Sequence, residues 1–151
     1  MGETMKLLVF LAILPLAAGS AGGKAEYVGG TMPQFTGKCE GRLVTADDSL
    51  LRFRTGKRDI EIAYSRINLI EYGQKVDRRY VSAVLISPLF LLAKSRKHFL
   101  TIGFQDAEGR QQAMVFRVDK GDVRALLVSL EARTGRKVEY QDEDARKAGK
   151  G

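Results

Sequence analysis

The residues able to do acid-base or nucleophilic chemistry are few. His98 is the sole histidine and Cys39 the sole cysteine, so a site with several histidine ligands is excluded and a catalytic triad would have to use His98 itself. His98 stands at the start of a strand pattern beside a basic cluster, where a solvated end-of-strand residue is expected. Cys39 reads as a small, half-buried residue of a strand. Glu61 and Glu71 fall on successive strand patterns and could approach one another, but exposed acids near Arg66 are more simply surface pairs. Asp106 and Glu108 suggest a calcium ligand pair at first sight. With no further liganding pattern after them, they read as a hairpin turn. Neither a Gly-x-Ser-x-Gly elbow, a phosphate-binding loop nor a Cys-x-x-Cys motif occurs. These residues therefore predict a non-catalytic chain with no cofactor and no metal.

The more distinctive chemistry is physical. Between Tyr80 and Ala93 about 14 residues run without one charge, too short to span a bilayer and too apolar to stand in water as a loop. Arg78 and Arg79 precede the run and Lys94, Arg96 and Lys97 follow it. Three coverings would satisfy it. It dips into one leaflet through Val84, Leu85, Ile86, Leu89, Phe90, Leu91 and Leu92 while its cationic flanks meet anionic headgroups. It forms the core of an interface with a second copy or a protein partner. Or it folds back across its own domain.

The elements that must position these residues follow from the remainder of the chain. Lys6, the apolar run from Leu7 to Ala18, and the small residues Gly19, Ser20 and Ala21 have the order of a secretory signal, so residues 1–21 are expected to be cleaved. A cytosolic buried helix here would carry Pro15 in its interior. No cysteine follows the apolar run, which argues against N-terminal lipid attachment, and a single cysteine allows no intrachain disulfide. About 130 of the 151 residues remain, enough for one domain with its own core. The formal charge of +7 survives removal of Glu3 and Lys6. For an exported chain, a periplasmic or extracellular one, that charge favours an anionic lipid surface or another envelope component over nucleic acid.

Residues 22–37, with two Gly pairs and Pro33, read as a linker or an edge strand. Strands are predicted over Cys39–Thr45, Leu50–Arg54, Ile60–Tyr64, Ile67–Tyr72, His98–Gln105 and Gln111–Val118, from period-two alternation between turn residues. Phe53, Phe99, Phe104 and Phe116 alternate into faces as core does, without an exposed ladder on which bases would stack. One helix is expected over Lys120–Thr134. Asp119 caps it, Val123, Leu126, Leu127 and Leu130 form its apolar stripe, and Gly135 ends it. Val138–Tyr140 is left as either a short strand or a surface segment. Residues 141–151 are polar and expected to be disordered.

The stretch Gly41-Arg42-Leu43-Val44-Thr45-Ala46-Asp47-Asp48-Ser49-Leu50-Leu51-Arg52-Phe53, followed by Ile60 to Tyr64 and Ser65-Arg66-Ile67, resembles bacterial pleckstrin-homology-like and GRAM-like domains. Val118 to Leu130 is similar to their closing helix. The resemblance covers residues 38–135 and implies a small, partly open barrel or bent antiparallel sheet of six to seven strands, closed by one C-terminal amphipathic helix. It implies binding or scaffolding of lipid headgroups or peptides, without catalysis. The chain departs from that pattern by its export signal and by the apolar insertion at residues 80–93. Two functions follow as expectations: peripheral attachment to an anionic membrane, or a structural subunit that assembles through the same insertion.

Overall fold

The computed structural model describes residues 21–56, 58–74 and 97–150. Eight strands form one mixed sheet: β1 (Gly22–Gly30), β2 (Cys39–Val44), β3 (Leu50–Thr55), β4 (Asp59–Ala63), β5 (Ile67–Gly73), β6 (His98–Gln105), β7 (Gln111–Val118) and β8 (Glu139–Tyr140). A single 3-10 turn, Tyr64–Arg66, joins β4 to β5, and two helices follow the antiparallel strands, α1 (Lys120–Thr134) and α2 (Glu143–Lys150). The spatial order is β4-β3-β2-β1-β7-β6-β5-β8. Neighbours are antiparallel except β5 and β8, which run parallel. The protein is thus mainly β, as the alternating pattern predicts, but among the described residues the sheet is not closed and has eight strands rather than six or seven.

The two additional strands have different origins. Gly22–Gly30 is neither a linker nor an edge: β1 lies inside the sheet, paired to β2 on one side and β7 on the other. Its glycines serve close approach. A Cβ on Gly23 would come within 2.5 Å of Asp122 Cβ and 2.9 Å of Leu126 Cδ1, so α1 packs against β1 only because that strand has no side chain there. A bulge between Tyr27 and Gly29 then shifts the register against β7. The other addition, β8, is a two-residue strand beside β5, with Glu139 opposite Glu71 and Tyr140 opposite Tyr72.

One face of the sheet carries the core. Leu43, Leu51, Phe53, Ile70, Leu100 and Phe116 are among its buried side chains, and Val123, Leu126, Leu127 and Leu130 of α1 pack into the same cluster. Phe53 and Phe116 meet edge-on with ring centroids 4.9 Å apart. The β1–β2 connection folds over this side, placing Phe35 between Tyr27, at 4.7 Å, and Phe53, at 6.0 Å. The ends of α1 are set by local chemistry. The Asp119 carboxylate accepts from Gly121 N–H, and Gly135 takes φ 69° while donating to Glu131 C=O, the left-handed cap that a residue without Cβ adopts freely.

The polar C-terminus is also ordered by packing. Residues 143–150 form α2, and Ala145, fully buried, joins the core cluster. A Cβ on Gly149 would stand 2.7 Å from Tyr140 Cε1 and 3.1 Å from Leu127 Cδ1. Spacing i, i+4 puts these two small residues on one helix face, and that narrow face lets a polar segment lie close to the sheet. Asp142 caps its start by accepting from Ala145 N–H at 2.7 Å.

Candidate functional site

A cleft of about 740 Å³ opens where residue 97 enters β6. Two adjacent cross-strand rows run along it. In one, His98 stands opposite Val118, Val118 opposite Ala25, and Ala25 opposite Gly41; in the next, Arg117, Glu26 and Glu40 align in the same way and line it from the other face of the sheet. Because α1 begins directly after β7, Asp119 and Lys120 rise at the rim. Lys24 on β1 and Lys97 ahead of β6 complete it. Two hydrogen bonds hold β1 against the helix start: Lys24 N–H donates to Asp122 Oδ2 at 2.8 Å, and Asp119 N–H donates to Lys24 C=O at 3.4 Å.

The lining mixes signs. Four cations, Lys24, Lys97, Arg117 and Lys120, face three acids, Glu26, Glu40 and Asp119. Two of those acids are engaged: Glu26 pairs with Arg117 at 2.5 Å, and Asp119 caps α1. Lys24 and Lys120 are exposed, and long ammonium side chains at such a rim extend readily into solvent. Their charges therefore lean the mouth of the cleft toward anions.

His98 is not simply a solvated strand end. Its ring stacks on Tyr72, with 6.0 Å between centroids and 10° between planes, and its Nδ1 shares a hydrogen bond with the Tyr72 hydroxyl. Burial is the main cause that lowers its pKa from the ordinary 6.5, and the Lys120 charge lowers it further against a smaller opposing effect of Asp119. The imidazole is accordingly neutral at pH 7. Burial likewise pushes Tyr72 up to about 12, with Tyr140 adding to the shift, so the phenol keeps its proton. A neutral imidazole on a protonated phenol is a packing pair that closes the β5–β6 end of the sheet.

The other residues with chemical potential are separated by the topology. Cys39 is half-buried at the start of β2, and β1 and β7 intervene between β2 and β6. Three strand spacings, roughly 14 Å, therefore separate it from the strand of His98. Glu61 and Glu71 do not meet. Glu61 accepts from Arg52 Nε at 2.7 Å across β3 and β4, whereas Glu71 is buried rather than exposed and accepts from Gln141 Nε2 at 2.9 Å. The 3-10 turn between β4 and β5 prevents the hairpin that would have brought them together.

Asp106 organises the β6–β7 turn. It accepts from the N–H groups of Glu108 and Arg110 and from Arg110 Nε and Gln112 Nε2. Partial desolvation raises its pKa, but these donors outweigh that effect and bring it to about 2. Its lone pairs are used by the turn itself. Among the described residues no group of three or more His, Cys, Asp and Glu is placed to hold a metal ion.

Of the twelve residues singled out in the sequence, Lys97 alone is among the described ones, and it lines the cleft. Arg78, Arg79, Val84, Leu85, Ile86, Leu89, Phe90, Leu91, Leu92, Lys94 and Arg96 lie outside the described residues, as do residues 1–20 of the expected signal at 1–21. Sequence reasoning missed Lys24, Arg117 and Lys120. They are distant in the chain, and only the β1–β7–β6 register gathers them. Among the described residues no helix is long and apolar enough to cross a membrane. No protein-family model matches the chain, and no curated protein is similar enough to match it.

Proposed function

We propose that this chain is an exported, non-catalytic binding module of pleckstrin-homology-like or GRAM-like type. In this reading it associates peripherally with an anionic membrane surface through the apolar residues 80–93 and the basic residues on either side. One observation carries the proposal. The basic flank that ends in Lys97 runs into a cleft whose rim adds Lys24 and Lys120 from two other elements. Lys97, which follows the apolar run by four residues in the chain, thus shares a cleft with cations drawn from β1, β7 and α1, and apolar side chains beside cations are the pairing that interfacial attachment uses. Each cation near an anionic surface contributes about 1 kcal/mol, and the insertion of several large apolar side chains adds to it. The β1–β4 meander, the β5–β7 meander and α1 across the core face fit the type, although other β folds share those parts.

The test is co-sedimentation of the chain lacking residues 1–21 with neutral and with anionic vesicles, beside a Leu85→Asp/Phe90→Asp variant. Binding that needs anionic lipid, weakens with salt and disappears in the variant is the expected result. Equal recovery of both proteins in the supernatant, with the variant folded, would sink the membrane reading.

A further inference from the structure

Three cations stand in one row across the strands. Lys24 of β1 lies directly opposite Arg42 of β2, and Arg42 directly opposite Arg54 of β3. Partners in a ladder share a face, and the alternate residues Gly23, Leu43 and Phe53 turn toward α1 and the core, so the row occupies the outer face. Strands lie about 4.8 Å apart, which sets three positive charges within roughly 10 Å of sheet width. Like charges directly opposite one another destabilise a sheet. Arg54 is held at the far end of the row by Asp59 of β4, at 3.6 Å, whereas among the described residues no acid pairs with Lys24 or Arg42. Arg42 Nη2 reaches Gly22 C=O at 3.5 Å, and its Nε–H, shielded from solvent, has no acceptor among the described residues. A guanidinium with an idle donor, set between two further cations, is arranged for an anion from outside the fold.

We propose that this row is a binding track for a linear acidic polysaccharide, which lies across β1, β2 and β3 and sets successive carboxylates against Lys24, Arg42 and Arg54. The neighbouring rows restrict the ligand to a single chain. On one side Glu40, exposed, stands opposite Glu26, whose carboxylate is engaged by Arg117. On the other side Arg52 is held between Asp47 and Glu61. The unpaired positive charge is therefore one row wide, and Glu40 repels a broad anionic surface laid over it. The aromatic residues of β1 to β4, Tyr27 and Phe53, belong to the core, so this face offers nucleic acid no ring on which bases would stack. A chain with one carboxylate on each sugar carries its charges one ring apart, a step that long lysine and arginine side chains follow readily. Arginine forks engage the two oxygens of a carboxylate together. The choice of a glycan among acidic polymers rests on the export proposed above; the cation row itself does not.

The test is calorimetric titration of the protein with polygalacturonate at low salt, beside Arg42→Gln, Arg54→Gln and Arg124→Gln. Arg124 is exposed on α1, so its replacement makes the same change in net charge away from the row. The parent is expected to bind, more weakly as salt is raised. Arg42→Gln and Arg54→Gln should each lose roughly fivefold in affinity, the worth of one surface ion pair, and Arg124→Gln less than about twofold. Arg54 is exposed, so its replacement keeps the test decisive should Arg42→Gln unfold. The proposal fails if the parent does not bind, if Arg124→Gln loses as much as Arg54→Gln, or if an oligothymidylate displaces the polymer at equal charge, which would assign the row to nucleic acid. Arg54→Gln should still bind anionic vesicles as the parent does, and an equal loss there would assign the row to the membrane. Polymer binding by a protein that no vesicle retains would overturn the membrane reading alone.

Discussion

Reversing two charges at the cleft rim separates binding from folding. Lys24 and Lys120 are both exposed, and each reversal to Glu is neutral or favourable for the fold. Lys24 stands directly opposite Arg42 in the β1–β2 register, so Lys24→Glu replaces a like-charge cross-strand pair by an opposite one. Lys120 is the first residue of α1, where an acid suits the helix dipole and a cation does not. Stability in urea should therefore move by less than about 0.5 kcal/mol for either change. Binding to anionic vesicles should move much more. A charge near the surface is worth about 1 kcal/mol, so each reversal removes about 2 kcal/mol, roughly a 30-fold loss in partition coefficient at low salt. The pair together would abolish measurable binding. The loss should shrink as salt is raised, because the Debye length falls from about 10 Å at 0.1 M to about 3 Å at 1 M. Arg54→Glu on β3 is the control, since its side chain is 59 % exposed and pairs with Asp59 away from the cleft. Vesicle titration across a salt series reads the four variants beside the parent. If Lys24→Glu/Lys120→Glu binds as the parent does, or if Arg54→Glu loses as much, the cleft does not face the membrane and the electrostatic argument is wrong.

Other outcomes follow from the same structure. Leu130→Ala in α1 should cost about 3 kcal/mol in urea unfolding, since the side chain is fully buried and loses both transfer and packing energy. Val128→Ala on the same helix, 59 % exposed, should cost less than about 0.5 kcal/mol, and equal effects would mean that α1 packs through a different stripe. Because burial depresses the His98 pKa below 6.5, the folded state favours the neutral ring: its contribution is full above pH 6.5 and is lost as pH falls through the depressed value. Replacement by Gln should flatten that acid limb in stability measured from pH 7.5 to 4.5, and an unchanged limb would move the titration elsewhere. Ala145→Asp places a charge at a fully buried position, and α2 is too short to persist undocked. Hydrogen exchange of residues 143–150 should therefore rise by at least tenfold while β6 and β7 keep their protection, and retained protection of α2 would refute its docking through Ala145.

Much of the fold was legible because its signals are local. The period-two runs His98–Gln105 and Gln111–Val118 and the stripe of Lys120–Thr134 coincide with β6, β7 and α1, and Asp119 and Gly135 bound the helix as their side-chain chemistry dictates. The strands around Leu43, Phe53 and Ile62 needed only boundary shifts of one residue. Of the cleft, only Lys97 beside His98 was legible, in the basic flank.

What the sequence left open concerns neighbours distant in the chain. Gly23 lies in a stretch with the composition of a linker, yet it lets β1 lie beneath α1, because the volume that matters belongs to Asp122 and Leu126. Ala145 and Gly149 sit in a polar tail, and only the surfaces of Tyr72, Tyr140 and Leu127 make their small size an advantage. Lys24, Arg117 and Lys120 share a cleft with Lys97 through strand register alone, and Phe99 and Val115 are buried on the face that alternation would assign to water. Periodicity reports which side of a strand a residue occupies. What lies against that side is decided by tertiary pairing, where the free energy comes from contacts between segments that the local pattern does not relate.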